Sequence, residues 1–238
     1  MAALPTPPSR VEQVYDAIVE EICTGRLAPG TPLRQELLAQ RFQVSRHPVQ
    51  QALLLLKNQG LLREFGRRGL EVTPLDSDYV GHVYQLRAVL DGYAARASAD
   101  RISAEGLRRG HDLVKAGKRA FAEPNFAEMI IADVEFHRLL VEESGNPLLV
   151  ESTAVLWRNV QRVMSEVHLA GGVPAWVWDD HAAILEAVEA RDGARAEALA
   201  RQHAEHGERV ILDTMATRRA SDPTSSDREI NQDLASSS

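Results

Sequence analysis

The stretch from Leu37 to Leu56 constrains the fold most strongly, because it predicts two short helices joined by a tight turn at residues 43–45. In its second half, apolar residues recur at the i, i+3, i+4 and i+7 spacing of one buried helical face. Ser45 precedes this helix as a suitable N-cap, and Pro48 falls in the first turn, where its missing N–H costs little. The pattern fits a helix-turn-helix, whose second helix can enter the major groove of DNA; a generic helical hairpin is the alternative. The repeating apolar residues are Val49, Ala52, Leu53 and Leu56.

Size and composition are those of a globular protein. The chain has 238 residues, of which 44% are hydrophobic, enough for one large domain or two small ones. No apolar run approaches the ~18 residues of a membrane span, and the first ten residues lack the apolar core of a signal peptide, so we expect a cytoplasmic protein with no membrane partner. The single cysteine, Cys23, excludes an intrachain disulfide and a cysteine-based zinc site, and we expect it to be buried.

Charge is distributed unevenly along the chain. Residues 1–76 carry 9 basic and 8 acidic side chains, a net of +1, whereas residues 77–238 carry 18 basic and 26 acidic ones, a net of −8. Within residues 41–68 only one acid, Glu64, accompanies six basic residues. A local positive surface is what phosphate contact requires, and it coincides with the predicted helix-turn-helix. The six basic residues are Arg41, Arg46, Lys57, Arg63, Arg67 and Arg68.

The flanking segments complete a winged helix over residues 10–75. A helix is predicted from Arg10 to Thr24, preceded by a Pro-rich arm (residues 1–9) that we expect to be disordered. Asn58-Gln59-Gly60 ends the second helix of the helix-turn-helix, and residues 61–65 and 70–73 predict a hairpin. The hairpin tip, Arg67-Arg68-Gly69, could reach a phosphate or the minor groove; a solvated turn is the alternative.

Residues 76–218 predict an all-α domain, because no strand alternation is present and helical periodicity recurs between breaks. The overall fold class is therefore mainly α: a winged helix-turn-helix followed by a bundle of about six helices. The polar, Ser/Asp-rich residues 219–238 predict a disordered tail. Helices are predicted near residues 77–100, 104–120, 126–144, 147–169, 176–191 and 193–217.

Several motifs together resemble the GntR family of bacterial transcription regulators, in the FadR-like subfamily with an all-helical FCD effector domain. They are GRLAPGTPL, LLAQRFQVSRHPVQQAL and NQGLLREFGRRGLEV in the N-terminal part, and LRAVLDGYAA, DVEFHRLLVEESGNPLL and DDHAAILEAVEARDGARA in the C-terminal part. The resemblance covers about residues 10–217. It implies a homodimer, not an enzyme, that binds a double-stranded DNA operator through paired winged helices. It also implies that a small metabolite in the C-terminal domain changes the affinity for the operator.

The second helix of the helix-turn-helix departs from the family pattern. The family usually has Arg and then Glu after the Val of this helix, where this chain has Gln50 and Gln51, and His47 replaces the usual Thr. Because Gln can pair with adenine, Gln50 predicts a different operator sequence rather than a different docking mode. Matching the family position by position, the candidate DNA contacts are Arg34, Ser45, Arg46, His47, Gln50, Arg67 and Gly69.

Four polar residues occupy otherwise apolar helical faces in the C-terminal part. Asp133 and His137 are four residues apart and share one face, while His181 and His203 lie on two later helices. Unpaired buried ions are costly, so these groups need partners. An Asp and three His suit a divalent transition metal such as Zn, Ni or Mn. For each histidine alone a hydrogen-bonded core residue is the alternative, but all four match the metal-binding branch of the FCD domain; His206 is the rival to His203.

A metal with four protein ligands would leave coordination positions that a small carboxylic acid could fill. A cation would then balance the acid, and the candidate ligand contacts are Arg87, Arg158 and Asn159, with Arg162 a further possibility; for the arginines, a surface salt bridge is the alternative. A metal-dependent hydrolase is the alternative function. Against it, the chain has no HExxH motif, and the extra acid Glu135 points about 100° away from the ligand face.

Overall fold

The computed structural model describes residues 8–66, 69–123, 125–168 and 174–221, and within these ranges the elements follow the predicted order. Three helices and three short strands form the N-terminal domain, and six helices form the C-terminal domain, which confirms the mainly α fold class. The elements are α1 (Arg10–Cys23), β1 (Pro32–Leu33), α2 (Gln35–Arg41), α3 (Arg46–Asn58), β2 (Leu62–Phe65), β3 (Gly69–Val72), α4 (Ser77–Arg101), α5 (Ala104–Ala122), α6 (Phe126–Glu143), α7 (Pro147–His168), α8 (Trp176–Glu189) and α9 (Gly193–Ser221).

Helix α1 begins at a capping box. The Ser9 hydroxyl accepts a hydrogen bond from the Glu12 N–H, and the Glu12 carboxylate accepts one from the Ser9 N–H. The apolar stripe of α1 packs on α3, where Ile18 and Val49 are completely buried in one core. Cys23 ends the helix and is buried, as the sequence predicts.

Helix α3 begins after Ser45, as predicted, but the expected capping hydrogen bond is wrong. Ser45 has the extended backbone of an N-cap, yet its hydroxyl makes no capping bond. Instead the Gln35 amide of α2 donates to the Arg46 carbonyl oxygen over 2.9 Å and ties the two helices together at the turn. Gln43 takes a positive φ of 54° in that turn, a conformation that costs a non-glycine residue some strain.

The sheet has the strand order β1-β3-β2 and is antiparallel throughout. Strands β2 and β3 form the predicted hairpin. Strand β1 has only two residues, and the sequence pattern predicts a turn at that position rather than a strand. Pro32 has no N–H to donate, which confines such a strand to the sheet edge. Gly69 is required at the start of β3, because a Cβ there would lie 2.7 Å from the carbonyl oxygen of Phe65.

The C-terminal domain contains all six predicted helices. Helices α4 and α9, the two longest, pack along each other at close range, and a Cβ on Gly92 would lie 2.8 Å from the side chain of Arg201. Interior positions of α4, α6, α8 and α9 then enclose one apolar core. Five of the six helices begin at a side chain that accepts a backbone N–H from the first turn, namely Asp76, Ser103, Asn125, Asn146 and Asp192.

The predicted disordered ends are partly wrong. Helix α9 continues to Ser221, so residues 219–221 are helical rather than part of a disordered tail. At the other end, Ser9 belongs to the cap of α1. Residues 1–7 and 222–238 lie outside the described part of the chain. Among the described helices, none combines the length and apolar content needed to cross a membrane.

Candidate metal centre and nucleic-acid interface

Three helices bring the four predicted metal ligands together. Asp133 and His137 lie on α6, His181 on α8 and His203 on α9, and one ligand atom of each lies within 4.8 Å of the others. All four residues are at most 3% exposed. The i, i+4 spacing on α6 sets the first pair, and the packing of α8 and α9 brings in the other two histidines.

The distances between the ligand atoms fit a metal ion. The Nε2 atom of His181 lies 3.2 Å from Nε2 of His137 and 3.3 Å from Nε2 of His203. A metal about 2.0–2.1 Å from each imidazole nitrogen would separate neighbouring nitrogens by about 2.8–3.0 Å in octahedral geometry and by about 3.3–3.4 Å in tetrahedral geometry. The Asp133 Oδ1 atom lies 3.5 Å from His181 Nε2. The four side chains therefore have both the donor chemistry and the spacing of a zinc-type site.

Two carboxylates outside the predicted set orient the histidines. The Nδ1 atom of His137 lies 3.1 Å from Asp91 Oδ2, and the Nδ1 atom of His203 lies 3.3 Å from Asp180 Oδ2. A proton shared with a carboxylate stays on Nδ1 and leaves the Nε2 lone pair directed at the cluster, as in many histidine metal sites. Sequence reasoning missed both acids, although Asp91 follows Arg87 by four residues and Asp180 directly precedes His181.

Two buried polar atoms of the cluster have no hydrogen-bond partner among the described residues. They are Oδ2 of Asp133 and Nδ1 of His181. Leaving such an atom unsatisfied costs about 1–3 kcal/mol, so a group that pairs with either of them would stabilise the site. A metal ion bound to Asp133 would supply that partner for the carboxylate, which is a second observation that fits this donor set.

The electrostatic environment keeps two of the histidines neutral. Burial lowers the pKa of His181 well below its ordinary value, and the neighbouring His203, His137 and Arg87 lower it further. Burial also lowers the pKa of His203, although the hydrogen bond to Asp180 acts in the opposite direction. A neutral imidazole binds a cation without first losing a proton, so both residues are prepared as ligands at pH 7.

Arg87 borders the cluster from α4. Its Nη2 atom lies 2.8 Å from His137 Nε2 and 3.4 Å from His203 Nε2, and its Nε atom pairs with Asp91 over 3.1 Å. Burial opposes the charged form, but Asp91 and other nearby groups raise the pKa of Arg87 above its usual value. A permanent positive charge therefore lies beside the ligand atoms, where it can attract an anion.

The other two predicted ligand contacts lie elsewhere, which corrects the prediction for them. The Arg158 guanidinium extends from α7 to the N-terminal domain, where it donates to Tyr15 and Gln59. The Asn159 amide accepts a hydrogen bond from Tyr79 over 2.9 Å and donates to the Val155 carbonyl oxygen. Both residues are on the same helix as Trp157, which does reach the cluster, but successive helical residues point about 100° apart and face different neighbours.

Aromatic rings hold the histidines in place. Phe136 stacks on His181 with ring centroids 4.3 Å apart, and Trp157 stacks on His137 at 4.7 Å. Trp178 meets His181 edge-on and fills the space over Gly117, where a Cβ would lie 2.1 Å from its ring. These ring contacts, together with the carboxylates of Asp91 and Asp180, restrict the ring orientations before any ligand binds.

His206 and Glu135 are engaged outside the cluster. His206 stacks on Trp176 with centroids 3.7 Å apart, and it is not one of the four clustered residues, so His203 is the third histidine. The Glu135 carboxylate pairs with Arg109 over 2.9 Å and with Arg138 over 3.1 Å. A carboxylate held by two arginines is a poor general base, so nothing in this contact supports the hydrolase alternative.

The candidate DNA contacts of α3 lie on one exposed surface. Ser45, Arg46, His47 and Gln50 are all exposed, while Val49 and the rest of the apolar face pack inward. This is the arrangement that major-groove contact requires. Of the predicted contacts outside α3, Arg34 is exposed at the start of α2, Gly69 begins β3, and Arg67 lies outside the described residues.

Several basic residues of the 41–68 segment form ion pairs inside the N-terminal domain. Arg41 pairs with Glu21, Lys57 with Glu64 over 2.5 Å, and Arg63 with Glu71 over 2.7 Å. The excess positive charge that the sequence suggests is therefore reduced by acids from other elements. Arg46 is 70% exposed with a 3.5 Å ion pair to Glu36; exposed pairs are weak, so it can turn to a phosphate. The residues of these three pairs are Arg41, Glu21, Lys57, Glu64, Arg63 and Glu71.

Comparison with known proteins identifies both domains. Residues 10–72 match the family model of bacterial regulatory proteins of the gntR family, and residues 82–206 match that of the FCD domain. The chain is similar to the HTH-type transcriptional repressor RspR of Escherichia coli K12, with 28% identity over 201 residues that cover 84% of this chain and 87% of RspR. It is also similar to a probable D-xylose utilization operon transcriptional repressor of Paenarthrobacter nicotinovorans, with 29% identity over 191 residues, 78% of this chain and 81% of the relative.

Solved structures show the same fold. Escherichia coli McbR/YncC matches 88% of this chain and all of its own chain with a TM-score of 0.77 and 19% identity. A GntR regulator from Rhodococcus sp. RHA1 matches 87% of this chain and 99% of its own with a TM-score of 0.75 and 21% identity. The winged helix, the six-helix domain and the two family matches lead to one conclusion: the chain belongs to the GntR family and is a DNA-binding transcriptional regulator with an FCD domain.

Proposed function

We propose that this regulator binds a divalent metal at Asp133, His137, His181 and His203, together with a small carboxylic acid, and that their binding changes the DNA affinity of a homodimer. The observation that carries the proposal is the convergence of three imidazole nitrogens within 3.2–3.3 Å of their nearest neighbour in a fully buried cluster. The imidazole nitrogens gain little from facing one another, and Arg87 contacts only those of His137 and His203, whereas one cation would satisfy all three lone pairs at once.

The donor set suits zinc, nickel or manganese, because it has nitrogen and oxygen ligands and no sulfur. The metal would supply Lewis acidity and further coordination positions, which a carboxylate can occupy. The protein's own contribution is orientation. Asp91 and Asp180 hold two of the histidines, and the aromatic rings of Phe136 and Trp157 hold the imidazoles.

Arg87 favours a carboxylate as the second ligand. A guanidinium and a divalent cation repel each other at this range, so an anion that contacts both lowers the energy of the site. The planar guanidinium can donate two parallel hydrogen bonds to a carboxylate, which a point charge cannot match. Trp157, whose ring centre lies 4.9 Å from the Arg87 guanidinium, holds the arginine against this side of the cluster.

An apolar stripe on α4 supports a homodimer. Leu86, Val89 and Tyr93 recur at i, i+3 and i+7 on one face and are between 46% and 51% exposed. Side chains of this size gain free energy when a second copy covers them. A two-fold dimer would present two α3 helices to an operator with two half-sites, and it would act in the cytoplasm, where the DNA is.

Metal content tests the proposal directly. Wild-type chain dialysed against zinc should retain about one ion per chain by elemental analysis, and His181→Ala should retain far less. The matched control is His111→Ala, because His111 is a half-exposed histidine on α5 away from the cluster. Equal zinc content in wild type and His181→Ala would show that the cluster does not bind the metal.

The DNA half of the proposal has its own test. The wild-type chain should enrich particular duplexes from a random-sequence pool, and its affinity for them should fall steeply as salt rises, because phosphate contacts release counterions. Adding zinc and citrate, as a probe of chelating acids, should change that affinity. An affinity that is equal for all duplexes, or insensitive to both additions, would contradict the proposal.

A further inference from the structure

Helix α7 touches the metal cluster with one residue and the N-terminal domain with the next. On the cluster side, the Trp157 ring stacks on His137 with centroids 4.7 Å apart and packs beneath the Arg87 guanidinium. Trp157 is buried, so its ring has little freedom to move without its helix. A displacement of the His137 ring would therefore also displace the Trp157 ring and act on α7.

On the other side, the Arg158 guanidinium joins two elements of the winged helix. Its Nη1 atom donates to the Tyr15 hydroxyl of α1 and, over 3.0 Å, to the Gln59 side-chain oxygen. Tyr15 in turn donates to Gln59. Gln59 is the C-cap of α3, so this three-residue contact ends on the helix that carries the candidate DNA contacts.

A second contact fastens α7 to α1 two turns further along. The Ser165 hydroxyl donates to the carbonyl oxygen of Cys23 over 2.5 Å, and the Cys23 thiol lies 3.6 Å from the Arg158 carbonyl oxygen. Ser165 and Cys23 are both buried, so water does not compete for these bonds. Helices α1 and α7 are thus fixed against each other along their length, and α7 cannot shift without acting on the winged helix.

We propose that Arg158 is a positioning residue that transmits changes at the metal cluster to the DNA-reading helix, through Tyr15 and the C-cap residue Gln59. This inference rests on the proposed function of the cluster. Coupling between two sites requires an element that both contact, and α7 is such an element. Arg158 suits the role because one nitrogen of its guanidinium, Nη1, donates to Tyr15 and to Gln59 together, so that removing this side chain breaks both links to the winged helix.

The test separates metal binding from its effect on DNA. The probes are zinc alone and a duplex that the wild-type full-length chain selects from a random pool. Zinc affinity is measured by competition with a chromophoric chelator, and DNA affinity by fluorescence anisotropy with and without saturating zinc. The variants are Arg158→Met and Tyr15→Phe, the second of which removes only the hydroxyl. Arg109→Met is the control, because Arg109 forms its ion pairs within the C-terminal domain.

In the wild type and the control, we expect zinc to change DNA affinity at least about fivefold. In Arg158→Met and in Tyr15→Phe, zinc affinity should stay within about twofold of wild type, while the zinc-dependent change in DNA affinity falls below about twofold. Because both variants break the same contact, combining them should add nothing further. A purely structural role would not separate the two readouts in this way.

The inference alone is overturned if either variant keeps the full zinc-dependent change in DNA affinity. If wild type binds zinc but its DNA affinity does not change, Arg158 has no effect to transmit, and the regulatory half of the proposed function is contradicted as well. Loss of zinc binding in Tyr15→Phe would also overturn it, because the contact would then support the fold of the cluster rather than transmit its state. If wild type fails to bind zinc, the proposed metal site is wrong and the inference falls with it.

Discussion

The metal cluster and the exposed face of α3 are built in opposite ways. In the cluster, every ligand is at most 3% exposed, and stacked rings or carboxylates hold each histidine. On α3, Arg46 and its neighbours are exposed, and the Arg46 side chain has a long ion pair that solvent screens. A preorganised buried site fixes which ion fits, whereas exposed side chains adjust to the duplex as they bind.

The contrast implies different consequences of substitution. A change in the cluster removes a partner from buried neighbours, so it should alter stability as well as binding. A change on the exposed face of α3 removes a contact that exists only in the DNA complex, so it should alter binding alone. Buried groups should therefore give larger effects than exposed ones when they are probed or substituted.

The largest expected effect is on the reactivity of the Cys23 thiol. Like the ligands of the cluster, Cys23 is buried, although it lies in the N-terminal domain. Burial raises the pKa of the thiol from 9.0 to about 11, although Arg158 and Arg162 lower it slightly. The thiolate is the reactive form, so at pH 8 native Cys23 should react with an aromatic disulfide reagent about 100-fold or more slowly than in urea. The rate should rise as pH approaches 11; equal native and unfolded rates would show that the α1–α7 contact is open.

Asp91→Asn should show the next largest effect. Burial opposes ionisation of Asp91, but His137 and Arg87 outweigh it and lower its pKa, so the carboxylate is charged at pH 7. Removing the charge should weaken zinc binding about 10- to 100-fold, as for other carboxylates that hold a metal-bound histidine. It should also lower the free energy of unfolding by about 3 kcal/mol, because Arg87 loses its buried partner.

The control for Asp91 is Asp179→Asn, since Asp179 is 75% exposed and pairs with Lys118 at the surface. That variant should match wild type in zinc titration and in thermal unfolding. If Asp91→Asn matches wild type as well, Asp91 does not hold His137 for a metal, and the contrast between the two regions weakens.

Gln50→Ala should affect sequence preference rather than overall binding. If Gln50 pairs with an adenine, its loss should reduce discrimination at one base pair about tenfold, within the 1–3 kcal/mol range of such contacts. Repeating the random-pool selection with the variant measures this loss, and stability should not change. Gln40→Ala, an exposed glutamine of α2, is the control. Unchanged preference at every position would exclude Gln50 as a base contact.

Arg46→Ala should produce the smallest effect. As a phosphate contact, Arg46 should contribute equally to all sequences, so the variant should bind every duplex a few-fold more weakly and reduce the salt slope by about one. Arg108→Ala, which removes an exposed arginine of the C-terminal domain, should leave the slope unchanged. A sequence-dependent loss in Arg46→Ala would instead indicate a base contact.

Much of the fold was predictable because each helix carries its own periodicity and boundary signals. The apolar stripe of α3 and the breaks between C-terminal helices are local patterns, and local patterns survive in the structure. Strand β1 was not predictable, because its two residues pair only after β3 is in place. Its pairing partner is remote in sequence, and a two-residue segment has no pattern of its own.

The candidate site was predictable in its ligands but not in their surroundings. The i, i+4 spacing of Asp133 and His137, with two later histidines on apolar faces, pointed to the four clustered residues. Asp91 and the stacked aromatic rings were missed because they come from elements brought close only by packing. Arg158 was misplaced for a similar reason, since its direction depends on where α7 lies relative to α1.

X-ray absorption at the zinc edge of the zinc-loaded chain tests the central claim most directly. If the cluster binds zinc, the spectrum should show imidazole ligands and a carboxylate oxygen, with metal–ligand distances of about 2.0–2.2 Å. The imidazole signal should weaken in His181→Ala and stay unchanged in His111→Ala. A spectrum without imidazole scattering, or one identical in wild type and His181→Ala, would contradict the assignment of this cluster as a metal centre.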